Sequence, residues 1–218
     1  MWPGGTAYII GGGPSLAGQD LCLEPRDDLY YQKRYGLEAY LYDKHCIACN
    51  DSIYLGMGWI EIAWFCDYEW ANKHMEFLLL FSGRMGSLGH GIVAHAAKLN
   101  TPQFRKMKRG KEFGIDTRPG TVSWNNSAGN AAINLAWHLG AKRVVLLGFD
   151  AGESVVRGVR ETNWYPRKGK QHRSTWDRFL KAYPYIKDDA EELGLEILNA
   201  TPGSRIREFP FVRLEEVA

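Results

Sequence analysis

Cysteine is scarce: four in 218 residues, at positions 22, 46, 49 and 66. That is too few for a disulfide scaffold, and it points to a reducing compartment. No apolar run is long enough to cross a bilayer, and the block at 78–81 falls far short of one. The opening Met1-Trp2-Pro3-Gly4 has neither the charged nor the apolar region of a signal peptide, which predicts a cytoplasmic protein with no membrane partner. Internal repeats and low-complexity tracts are missing too. There is no dominant sign of charge: the formal net charge is +2, too small to imply nucleic-acid binding by itself. With 45% hydrophobic and 24% charged residues, disorder is not indicated, and the length suits one domain over 1–218 with a substantial core.

The usual metal and nucleotide signatures are also missing. Cys46-Ile-Ala-Cys49 is a CxxC, but it lies in an apolar run that reads as a strand. Residues three apart on a strand point to opposite faces, so they are expected to be core cysteines and not metal ligands. His90 and His95 have no carboxylates nearby and read as surface histidines. Gly11-Gly12-Gly13-Pro14-Ser15 matches neither G-x-G-x-x-G nor G-x-x-x-x-G-K-[ST].

What is present begins at that glycine turn. An apolar run, Tyr8-Ile9-Ile10, stops at three glycines and is followed by Pro14 and Ser15. Glycine lets the backbone turn sharply and approach a ligand, and proline is preset for a first helical turn. A strand, a glycine turn and a helix N-terminus form an anion site, although a tight turn without ligand has the same sequence. Further strands are expected over 46–49, 60–66, 143–147 and 195–198, alternating with helical patterns. This predicts an α/β fold with a mainly parallel sheet. Each expected strand gives way to Gly, Asn or Asp, namely Gly11, Asn50-Asp51, Asp67, Gly148-Phe149-Asp150 and Asn199. Ligands of open parallel sheets sit beyond the carboxyl ends of the strands, so these residues are site candidates, although each alone also suits a turn or cap.

A helix is expected over 127–139, with Asn125-Asn126-Ser127 as cap residues and a second candidate anchor. Another is expected over 174–193, broken or kinked at Pro184. The aromatic segment 59–70 suits either a subunit contact, which would make an oligomer, or buried core. Basic residues concentrate at 105–111 and 167–173. Such runs are most often solvated loops, and they equally suit a phosphorylated substrate or a polynucleotide backbone. Residues 153–173 read as a long lid-like loop.

Taken together, Gly11-Gly12-Gly13-Pro14-Ser15-Leu16, Asn50-Asp51, residues 126–150 and Asn199-Ala200-Thr201-Pro202-Gly203-Ser204-Arg205 resemble an uncharacterised family of phage and prokaryotic proteins. That family is related to archaeal-type 6-hydroxymethylpterin diphosphokinases and, more distantly, to bacterial sialyltransferases that use CMP-sialic acid without a metal. The resemblance implies a single Rossmann-like domain. Gly12, Gly13, Ser15 and Asn50 would hold the nucleotide, Asn126 or Ser127 the donor's phosphate or sugar, and Gly148 and Asp150 the base or ribose. It implies a lid histidine as general base, and His172 is the candidate, between cations that favour its neutral form. The chain departs from the sialyltransferase pattern at Gly12 and Asp67, where Asn is expected. It also lacks the phosphate-binding tyrosine just after the 143–147 strand, leaving Tyr165 as the substitute.

The expected activity is therefore transfer from a nucleotide-sugar donor, with no metal or other cofactor, to an acceptor suited by the basic runs to be anionic, phage DNA included. A phage-encoded chain would work in the host cytoplasm. One alternative is an Mg²⁺-dependent diphosphokinase in which Asp51, Asp67 and Asp150 are ligands. Another is a nucleotide-binding accessory protein without catalysis.

Overall fold

The computed structural model describes residues 1–18, 26–29, 32–34, 36–56, 58–88, 104–156, 159–164 and 173–217. Seven strands form one sheet: β1 (Thr6–Ile10), β2 (His45–Cys49), β3 (Ile62–Phe65), β4 (Arg84–Ser87), β5 (Phe104–Lys106), β6 (Arg143–Leu147) and β7 (Glu196–Asn199). Their order is β7-β6-β1-β2-β3-β4-β5, and every neighbouring pair is parallel. The mixed α/β class with a parallel sheet expected from the sequence is what the chain adopts. β4 and β5 are additions to the expected strands.

The α-helices among the described residues are α1 (Ser15–Gly18), α2 (Leu37–Leu41), α3 (Tyr68–Lys73), α4 (Met75–Leu80), α5 (Ala128–His138), α6 (Arg173–Leu180) and α7 (Tyr183–Leu193). Alternation along the strands divides the core between the two faces of the sheet. Ala7, Ile9, Ile47, Val144 and Leu146 pack with Ala132 and Leu135 of α5 and Ile186 of α7. Tyr8, Ile10, Ala48, Val145 and Leu147 pack with Leu41 of α2 and Leu78 of α4. Both sides of the central strands are buried, which is why these strands are continuously apolar.

Several sequence expectations resolve here. Cys46 and Cys49 fall in opposite cores, and burial pushes both thiols well above their ordinary pKa. Trp59, Trp64 and Phe65 are buried, so the 59–65 part of the segment belongs to the core, whereas residues 67–69 are exposed. The helix expected over 174–193 is two helices, α6 and α7, with Pro184 in the first turn of α7. A proline there loses no helical hydrogen bond. The stretch read as one long loop includes an antiparallel hairpin, Ser154–Val156 with Val159–Glu161.

α5 is held from outside the sheet by a buried polar network. The Asn134 Oδ1 accepts the backbone N–H groups of Asp116 and Ser123, both at 2.8 Å. The Asp116 carboxylate accepts from the Arg118 guanidinium at 3.0 and 2.6 Å, and from the backbone N–H of Lys111 at 3.1 Å and of Arg118 at 3.0 Å. The Arg118 hydrogen bond, despite the opposing effect of burial, holds Asp116 well below the usual carboxylate range. A depressed carboxyl stabilises the fold fully above its unfolded value of about 3.9 and loses that contribution as pH falls through the folded value. Asp116→Ala is expected to destabilise the protein by about 2–4 kcal/mol at neutral pH, because buried donors lose their acceptor. In urea melts, the gap from wild type should narrow as pH drops below about 4. A pH-independent gap would contradict this.

Candidate functional site

β1 lies between two halves of the sheet. From it the chain proceeds outward through β2, β3, β4 and β5, and it returns to place β6 and β7 on the other side. Connections that diverge in this way leave a crevice beyond the carboxyl ends of the two central strands. Here the crevice is a cleft of about 620 Å³, lined by the glycine turn after β1, Asn50 after β2, Asp67 after β3, the N-terminus of α5 and residues of α6.

The two turns at its base are interlocked. Gly11 N–H donates to Leu147 O at 2.7 Å, and Gly13 N–H to Gly148 O at 2.8 Å. The Ser15 N–H and hydroxyl both donate to the Asp150 carboxylate, at 3.0 and 2.7 Å. Such an approach requires glycine at 13, because a Cβ there would lie 1.8 Å from Asp150 Oδ2 and 2.6 Å from Gly148 O. Gly148 itself has φ +67°, the left-handed region that glycine occupies without strain. The 199–205 stretch braces this turn: Thr201 Oγ1 accepts Phe149 N–H at 3.0 Å, and Ser204 Oγ donates to Phe149 O at 2.6 Å. Ser52, in the 3₁₀ helix Asn50–Leu55, donates to Gly11 O and ties Asn50 to the same base.

The anion position at the start of α1, expected to take a ligand phosphate, is occupied by the carboxylate of Asp150, and both Ser15 donors are used there. Ser15 and Asp150 are buried, and Ser15 does not line the cleft. A phosphate at that position would meet a carboxylate of like sign.

The second anchor is open. Ser127 caps α5 by accepting Asn130 N–H at 3.0 Å. The N–H groups of Ala128 and Gly129 have no partner among the described residues, and both residues line the cleft. Helix N-termini carry partial positive charge and free donors. The end of α5 is fixed by Trp64 Nε1, which donates to Ala128 O at 3.0 Å. Asn130 adds to this: its Nδ2 donates to Asn125 O and Phe179 O, and its Oδ1 accepts the buried Tyr183 hydroxyl at 2.6 Å.

Left-handed backbone is concentrated at the same place. The described non-glycine residues with left-handed φ are Asn50 (51°), Asn125 (52°), Asn126 (61°) and Ala151 (51°). All but Asn125 line the cleft, and Asn125 adjoins it in sequence. Strained residues persist where the surroundings over-determine them, and they cluster at ligand sites. Asn50 also presents a buried Oδ1 with no hydrogen-bond partner, an acceptor suited to a ligand N–H or O–H.

Thus Gly12, Gly13, Asn50, Asn126, Ser127, Gly148 and Asp150 all border one cleft. Asn126 also donates to Arg178 O at 3.4 Å. His172 and Tyr165 lie outside the described residues. Sequence reasoning missed Trp124, Thr162, Asn163, Trp176, Arg178 and Phe179, which complete the walls. Asn163 Nδ2 and Trp164 N–H donate to Gly12 O, both at 3.2 Å, drawing the chain after the hairpin over the glycine turn. Cys66 also lines the cleft, and burial pushes its thiol up to about 12, which leaves no reactive thiolate.

The three carboxylates named for Mg²⁺ are engaged separately. Asp67 caps α3 by accepting Trp70 N–H at 3.1 Å, Asp150 holds Ser15, and Asp51 lies 3.7 Å from His74 Nε2. The His74 ring stacks on Trp70 with centroids 4.6 Å apart, and burial lowers its pKa against the opposing pull of Asp51. Among the described residues, no group of three or more His, Cys, Asp or Glu side chains is arranged to hold a metal ion. No helix among them is long and apolar enough to cross a membrane. Fold and cleft together define a parallel α/β protein with a crevice at its topological switch point. Comparison with family models, curated proteins and solved structures finds no match to the chain.

Proposed function

We propose that the cleft binds a nucleotide-sugar and that the chain is a metal-independent, glycosyltransferase-like enzyme of the phage and prokaryotic family it resembles. The observation that carries this reading is the pair of N–H groups at Ala128 and Gly129, without a partner among the described residues and bordering a switch-point cleft. They suit a donor phosphate, and the Asn50 Oδ1 suits a base amine or ribose hydroxyl. Trp124, Trp176 and Phe179 supply aromatic surface for the base or sugar.

In this reading the acceptor oxygen bonds to the anomeric carbon as the bond from that carbon to the phosphate oxygen breaks. His172 takes the acceptor's proton. The departing phosphate gains negative charge, which the α5 amides and the Arg178 guanidinium stabilise. The segment 153–173 acts as the lid.

Thermal-shift screening with CMP, UDP, GDP and ATP, each with and without Mg²⁺, tests the reading. Stabilisation by a nucleoside mono- or diphosphate without metal is expected, reaching about 2.7 kcal/mol at a hundredfold excess over Kd. A strictly Mg²⁺-dependent triphosphate effect would support the diphosphokinase instead, and no response to any nucleotide would overturn nucleotide binding.

A further inference from the structure

The basic run at 105–111 is not absorbed by the donor site. Residues 104–110 form an extended ribbon in two parts: β5 is the last strand in the sheet's order, and Lys108–Arg109 then leave that sheet to pair in parallel with Thr121–Val122. Beyond β5, Met107 N–H donates to Ser87 O, Lys108 N–H to Gly120 O and Gly110 N–H to Val122 O. At strand spacing this ribbon is about 20 Å long. Arg105, Lys106, Lys108 and Arg109 are exposed along it, with no acidic residue between 104 and 111. Lys106, Lys108 and Arg109 form no ion pair among the described residues, whereas Lys111 pairs with Asp189 at 3.2 Å. Unpaired like charges this close repel one another unless an anion lies along them.

The ribbon leads to the cleft. The Arg109 guanidinium lies over the Trp124 ring, 5.0 Å from its centroid, and Trp124 lines the cleft wall. The geometry points to a track for single-stranded nucleic acid along residues 104–110, with Trp124 as the stacking platform where the strand meets the cleft. Positions 106 and 108 alternate with 105 and 109 across the ribbon, so a linear polyanion running along it meets cations from both sides, and a cation track ending at an aromatic ring is how single strands are held. A duplex keeps its bases stacked and cannot present one to a half-buried ring. The cations of the ribbon lie outside the cleft and only Trp124 is shared with the donor reading, so the inference goes beyond that reading and is tested without any donor.

The test is fluorescence anisotropy of the full chain with a labelled oligothymidylate of about 12 nucleotides, with three or four phosphates expected to be neutralised. Affinity is then expected to fall about 20- to 50-fold between about 50 and 200 mM salt. Lys106→Glu/Lys108→Glu/Arg109→Glu should abolish most binding and flatten the salt dependence, with circular dichroism confirming the fold. The single variants Lys106→Gln and Lys108→Gln should each give a smaller step. Trp124→Ala should weaken binding about tenfold with the salt slope unchanged.

Three results would overturn the proposal. One is no binding by the wild-type chain even at low salt, which would leave the charges as mere guards of the sheet edge. Another is equal or tighter binding of a duplex or of a sulfated polysaccharide. The third is binding indifferent to Lys106, Lys108 and Arg109.

Discussion

Replacing Gly13 by alanine is expected to destabilise the protein by about 3–5 kcal/mol, combining overpacking with loss of charged, buried hydrogen bonds. The added methyl would overlap the Asp150 carboxylate and crowd Gly148 O. Neither can yield cheaply. Asp150 is buried and receives both Ser15 donors, and Gly148 O accepts Gly13 N–H in the lock between β1 and β6. At roughly 2–4 °C per kcal/mol for a chain of this size, the melting temperature should fall by about 10 °C. Gly58 is the control, because a Cβ there meets nothing within 4 Å. Gly58→Ala should shift stability by no more than about 0.5 kcal/mol. If the two variants melted together, the interlocked base of the cleft would be wrong.

Ala128→Pro should separate ligand binding from folding. Ala128 is the first residue of α5, where proline is well tolerated. Ser127 before it is extended, φ −150° and ψ 154°, the conformation a following proline prefers. The carbonyl that accepts from Trp64 is retained. Only the N–H is lost, and with it one donor to the ligand's anionic group. Stability should stay within about 1 kcal/mol, while nucleotide affinity falls about 10- to 100-fold, the range for a hydrogen bond to a charged group. Calorimetric titration beside a thermal melt reads both. Unchanged affinity would remove the α5 terminus from the site.

The central strands were legible because burial on both faces leaves no polar residues inside them: Tyr-Ile-Ile, Cys-Ile-Ala-Cys and Val-Val-Leu-Leu are uninterrupted. β4, with the sequence Arg-Met-Gly-Ser, and β5, with Phe-Arg-Lys, have no such run. β4 is buried at Met85, Gly86 and Ser87, but two of those three residues are Gly and Ser and give no apolar run, and β5 ends the sheet's order. The residues gathered at the strand ends were also legible, because a parallel sheet must turn where the apolar run stops. Their division of labour was not. Nothing local shows that the Asp150 carboxylate, 135 residues from Ser15, takes up both Ser15 donors at the start of α1. The left-handed backbone at Asn50, Asn125 and Asn126 suits asparagine, yet each asparagine alone reads equally well as an ordinary cap.

A crystal structure of the chain with a nucleoside diphosphate tests the central claim most directly. The expected result is a phosphate group within hydrogen-bond distance of the Ala128 and Gly129 N–H groups, with the Ser15–Asp150 pair undisturbed. A phosphate seated instead at residues 11–15 with Asp150 displaced, or a nucleotide bound away from the cleft, would contradict it.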